Sequence, residues 1–142
     1  DSGMSYSTGR ITKSGRRDLR RAMVDAANHA ILDHPHWKEQ FAQLSFRLGR
    51  SKAIVAIARK LLVVVWHVLT KGIADRQANP IQVACSIFAF AHKVRVKNLP
   101  QKQSALVFTR TQLDRLRIGR DVHILPWGTK KFKLPESALP LS

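Results

Sequence analysis

Gly15-Arg16-Arg17-Asp18-Leu19-Arg20-Arg21-Ala22-Met23-Val24-Asp25-Ala26-Ala27-Asn28-His29-Ala30-Ile31 is the stretch in which the chain first commits to a helix. Leu19, Met23, Ala26, Ala27, Ala30 and Ile31 recur at helical spacing on one face, and four arginines crowd the first turns. The residues before it have a different character. From Ser2-Gly3 through Ser5, Ser7, Thr8 and Gly9 to Gly15 they are glycine, serine and threonine with Arg10 and Lys13, a composition that disfavours helix and leaves backbone N–H groups available to an anion. A small-residue loop thus feeds a cationic helix.

The crowding is intrinsically unfavourable. Arg16/Arg20 and Arg17/Arg21 are like charges at i,i+4, and the positive end of the helix dipole lies at the same terminus. An anion there would relieve it. Phosphate fits best, because guanidinium forks bind it bidentately and helix N-termini bind it through backbone amides. The plainer alternative is an exposed face whose repulsion Asp18 and solvent relieve.

Composition favours the first reading. The 142 residues include 25 Lys+Arg against 9 Asp+Glu, a formal net charge of +16, yet 44% are hydrophobic. That fraction builds a core and excludes a solvated basic tail, while the charge favours a polyanionic partner, nucleic acid more often than an acidic membrane. The longest unbroken apolar run, Leu61 to Trp66, is flanked by Arg59, Lys60 and His67, so the sequence is read as having no membrane span. Cys85 stands alone in an apolar setting, which excludes an internal disulfide, suits a reducing cytoplasm and predicts a buried, inert thiol.

Along the chain the pattern predicts a mainly α fold, a compact helical domain of about five helices over 1–120 with a basic, β-hairpin-like tail over 121–142. The first helix ends before Pro35, and Asp33 or His34 caps a second with Trp37, Phe41, Leu44 and Leu48 as its stripe, stopped by Gly49. Ser51 is the expected N-cap of a third helix to about Lys71, apolar nearly all round in its second half and therefore expected at the centre of the core; its β-branched run Leu61–Val65 also reads as a buried strand, though length favours helix. Asn79-Pro80 opens a fourth helix with Ala84, Cys85, Phe88 and Ala91, Lys93 to Pro100 is a basic linker, and a fifth runs from about Ser104 to Leu116 with Gly119 near its stop. Val122 to Leu134 alternate about Pro126-Trp127-Gly128-Thr129 as a hairpin does, and 137–142 is expected frayed or extended.

Chemistry is harder to place. Six histidines are scattered without metal-ligand spacing, His34-Pro35-His36 having no cysteine or carboxylate partner nearby, and the nine carboxylates show no paired-acid pattern. The residues therefore predict no metal site. What remains is the hydroxyl-rich loop, where a serine could attack a phosphodiester if cations stabilise the developing charge and a base takes the proton. The cations are at hand and the base is not, so a flexible turn is the competing reading.

Ser2-Gly3, Gly9-Arg10-Ile11-Thr12-Lys13-Ser14-Gly15 followed by Arg16, Leu19 and Arg20, Ala26-Ala27, His34-Pro35-His36-Trp37-Lys38, Arg47-Leu48-Gly49-Arg50 and Lys52 to Leu62 together resemble the C-terminal part of the DEDD-type, bridge-RNA-guided insertion-sequence transposases, the insertion-sequence-one-ten group. The likeness is most specific from Ser2 to about Ala74 and extends through Leu113-Asp114-Arg115-Leu116. It implies a helical transposase segment whose Ser2 is a nucleophile on DNA, with Arg10, Lys13, Arg16, Arg17, Arg20 and Arg21 on phosphates. It also implies an N-terminal RuvC-like domain, missing here, that carries the acidic residues and magnesium; this segment itself would bind no cofactor. DNA, guide RNA and further copies of the full-length enzyme are the implied partners, with no membrane, in the cytoplasm. A non-catalytic basic nucleic-acid-binding module, or a decayed remnant of such an element, is the alternative, and a ribosome-associated protein is disfavoured by the long apolar third helix.

Overall fold

The computed structural model describes residues 15–140. It contains five α-helices, α1 (Arg17–Asp33), α2 (Pro35–Leu48), α3 (Arg50–Lys71), α4 (Pro80–Lys93) and α5 (Ala105–Arg115), and a two-stranded antiparallel sheet of β1 (Ile124–Trp127) and β2 (Lys130–Lys133). The mainly α fold with a terminal hairpin is as the sequence predicts. The chain divides into two compact units, Asp1–Leu61 and Leu62–Ser142.

In the first unit α1 packs on α2. Between them His34 is extended (φ −113°, ψ 118°), the conformation that Pro35 imposes on its predecessor. Its N–H donates to the Ala30 carbonyl and its carbonyl accepts from Lys38, so one residue closes one helix and opens the next. Gly49 does the same between α2 and α3. At φ 77° it occupies the left-handed region, and its carbonyl already accepts from the Ala53 N–H. This corrects the expected cap: α3 starts at Arg50, and Ser51 lies inside it, because the glycine reverses the chain within a single residue. The buried side chains are Ala27, Ile31, Trp37, Ala53, Ile54, Ile57 and Ala58. Leu19 and Ala26, which the spacing sets on one face of α1 with Ala27 and Ile31, are exposed.

The second half of α3 overturns two expectations. Leu62, Val63, Val65, Trp66 and Leu69 are exposed, Trp66 by 59% and Leu69 by 79%, so this half is not the centre of a core. Helix α3 is also long and apolar enough to cross a membrane by length and composition, contrary to the sequence reading, which counted only the unbroken run and not the whole helix.

The core of the second unit joins α4, α5 and the hairpin through Ala84, Phe88, Ala91, Phe108, Leu113, Val122, Leu125 and Leu134. Helix α4 starts where Asn79-Pro80 predicts: the Asn79 Oδ1 accepts from the N–H groups of Ile81 (3.0 Å) and Gln82 (3.3 Å). Replacing Asn79 by alanine is expected to cost about 1 kcal/mol of stability by loss of this cap, measurable as a lower denaturation midpoint at unchanged m-value. Ser104 caps α5 through Val107 N–H. The basic linker contains two 3₁₀ turns, Val96–Asn98 and Pro100–Lys102, between which Leu99 is buried.

In the hairpin, Ile124, Leu125, Pro126 and Trp127 pair with Lys133, Phe132, Lys131 and Lys130 respectively. Gly128, at φ 59°, supplies the left-handed residue that a two-residue hairpin turn needs. Residues 137 and 138 are not frayed, as had been expected. Ser137 Oγ donates to Asp114 Oδ1 (2.7 Å) and the Ala138 N–H donates to Oδ2 (2.9 Å), which holds this segment against α5. Cys85 is half-buried, rather than buried as predicted, and its Sγ donates to the Pro126 carbonyl (3.3 Å).

Candidate nucleic-acid interface

Arg16, Arg17, Arg20 and Arg21 are all exposed at the start of α1. Helix geometry sets Arg17 and Arg21 about 6 Å apart along the axis, one above the other. Arg16 sits at the N-cap, where it makes no side-chain capping bond. Its guanidinium turns to Asp18 instead, Nε to Oδ1 at 3.2 Å and Nη2 to Oδ2 at 2.5 Å. That contact, followed by the Leu19 backbone N–H, holds the Asp18 carboxyl below its ordinary carboxylate value. The relief that Asp18 offers is therefore real but is spent on Arg16. Arg17 and Arg21 have no ion-pair partner among the described residues. Their side chains are exposed at a helix start whose N-cap residue makes no side-chain capping bond, an arrangement suited to a phosphate group.

Ser2, Arg10 and Lys13 lie outside the described residues, so the structure places four of the seven predicted site residues. Of the histidines, His29, His67 and His92 stand on helices and His34 and His36 at a helix boundary. No group of three or more His, Cys, Asp or Glu that could hold a metal ion is found among the described residues.

One polar centre escaped sequence reading. Arg110 is 4% exposed, and its fork donates to three carbonyls: Nε to Pro135 (2.8 Å), Nη1 to Gly119 (2.9 Å) and Nη2 to Val122. Asp114 Oδ1 lies 3.6 Å from Nη1. The signal was present: Arg110 falls four residues after Leu106 and three before Leu113, on the apolar stripe of α5. A charge at such a position needs buried acceptors.

The stretch that carries the arginines also carries a family match. The model of the Transposase IS116/IS110/IS902 family matches residues 1–42. This agrees with the likeness to the C-terminal region of insertion-sequence-one-ten transposases and supports a transposase-related function. The match takes in the serine- and glycine-rich stretch around Ser2, the arginines of α1 and the first half of α2, and leaves residues 43–142 outside it. No curated protein and no solved structure matches the chain.

Proposed function

We propose that this chain is the DNA-gripping, nucleophile-bearing C-terminal part of a DNA transposase or recombinase. The observation that carries the reading is the exposed arginine cluster at the start of α1, within the stretch matched by the transposase family model. Arg17, Arg20 and Arg21, together with Arg10, Lys13 and Arg16, bind the phosphates flanking the scissile bond and offset the charge that develops on the transferring phosphoryl group. Ser2 Oγ attacks the phosphorus, the bond to the departing deoxyribose oxygen breaks, and a serine–phosphodiester link to DNA is left for the strand to be exchanged. In this reading a RuvC-like domain outside this sequence supplies the base that takes the serine proton and the acidic residues that hold magnesium. Guide RNA, further copies of the enzyme and a cytoplasmic location belong to the same reading.

Binding tests the grip directly. Changing Arg17, Arg20 and Arg21 together to glutamine is expected to flatten the plot of log affinity for duplex DNA against log salt by about 2.7, at about 0.9 per lost phosphate contact. Fluorescence anisotropy across a salt series reads the slope. An unchanged slope would remove the arginines from the interface.

A further inference from the structure

The proposed grip on α1 accounts for only part of the charge. Residues 62–142 hold thirteen Lys or Arg against four Asp or Glu, and one of those acids, Asp114, is engaged by Arg110, Ser137 and Ala138. Three of the thirteen stand together on the hairpin strand β2. Lys130, Lys131 and Lys133 are exposed and have no ion-pair partner among the described residues.

The pleat sorts the ribbon into two faces. Leu125, Phe132 and Trp127 turn inward, Leu125 fully buried and the rings of Trp127 and Phe132 at 5.1 and 5.5 Å from that of Phe88 on α4. By alternation Ile124, Pro126, Lys131 and Lys133 share the outer face, and all four are exposed. The ribbon is held firmly. Leu134 N–H bonds the His123 carbonyl (2.9 Å), and the Arg110 fork ties Val122, just before β1, to Pro135, just after β2. The lysines thus stand on a clamped platform rather than a loose arm.

We infer that the outer face of this hairpin is a second DNA-binding surface, seated along the major groove of B-form DNA with its lysine-bearing strand β2 against one phosphate backbone. Side chains two apart on a strand are spaced by about 7 Å, which lets Lys131 and Lys133 reach separate phosphates of one DNA strand. A two-stranded ribbon fits the B-form major groove, about 12 Å wide, whereas the A-form groove of RNA is too narrow to admit one. The other use of lysines on such a strand is to blunt an open sheet edge against self-association; the two uses differ in what their loss does.

This inference rests on the DNA-binding reading and is tested on the whole chain with the Lys131→Gln/Lys133→Gln variant, the two lysines of the outer face. The substituted side chains are exposed, so unfolding temperature should hold. The salt slope for a duplex DNA of about 30 base pairs is expected to become shallower by about 1.8, at about 0.9 per lost contact, additively with the change produced by the α1 arginine variant. On an A-form RNA duplex the same lysines should change the slope by less than about 1. An unchanged slope on DNA overturns the inference, with or without self-association of the variant, while an effect of the α1 variant in the same assay leaves the proposed function standing. An equal loss on RNA overturns the groove seating. If the unaltered chain shows no salt-dependent DNA binding, both readings fall.

Discussion

Ser2→Ala is expected to abolish covalent protein–DNA adduct and to lower strand cleavage on the order of 10⁴-fold or more, the scale on which removing an enzyme nucleophile acts. The assay uses the full-length parent, or this chain supplied with its RuvC-like partner, on cognate DNA. Denaturing gels would resolve an adduct migrating with both protein and labelled strand. DNA affinity should change little, because a serine hydroxyl contributes at most one neutral contact to a grip dominated by arginine–phosphate pairs. That split between chemistry and binding makes the prediction specific. Unchanged cleavage in Ser2→Ala, with binding still lost in the arginine variant, would reduce the segment to a phosphate-gripping module and place the nucleophile elsewhere. Full binding with lost adduct would make the segment around Ser2 half of a composite active site.

The largest effect on stability is expected at Arg110. Its side chain is 5% exposed and serves the carbonyls of Pro135, Gly119 and Val122 as well as Asp114. Arg110→Met keeps much of the volume but leaves three carbonyls without their donor and Asp114, 15% exposed, without its countercharge. Breaking a buried charged network by removing one partner costs about 3–5 kcal/mol. For a unit of this size that lowers the thermal midpoint by about 12 °C or more. Arg110→Lys should recover only part of the loss, since an ammonium on a flexible stem cannot present a planar fork to three separate carbonyls. Circular dichroism melts of the three proteins decide it. A change below about 1 kcal/mol in Arg110→Met would show that the hairpin stays docked through Leu125 and Leu134 alone.

Arg110 also marks the boundary of what a sequence can convey. The Asn79-Pro80 start of α4, the His34-Pro35 break, the Gly49 stop and the alternating Val122–Leu134 hairpin were legible because each depends on the chemistry of a few adjacent residues: a side chain that caps its own helix, a proline that excludes helix from its predecessor, a glycine at positive φ, a period of two. Arg110 was not resolved because its partners lie nine to twenty-five residues away and are carbonyls, which every residue carries. The second half of α3 misled for a related reason. A helix apolar nearly all round satisfies every test for burial, but hydrophobicity states a preference and not the neighbour that would meet it. In the fold, Ala53, Ile54, Ile57 and Ala58 found cover while Trp66 and Leu69 did not.

By itself, then, the sequence determined the mainly helical class, the order of the five helices and the hairpin, and the arginine-rich start of α1, because these follow from local spacing and charge. Only the tertiary structure decided that Arg110 clamps both ends of the hairpin and that three lysines stand on an exposed, anchored ribbon. Those are outcomes of long-range packing, in which backbone groups distant along the chain meet and local pattern has no say.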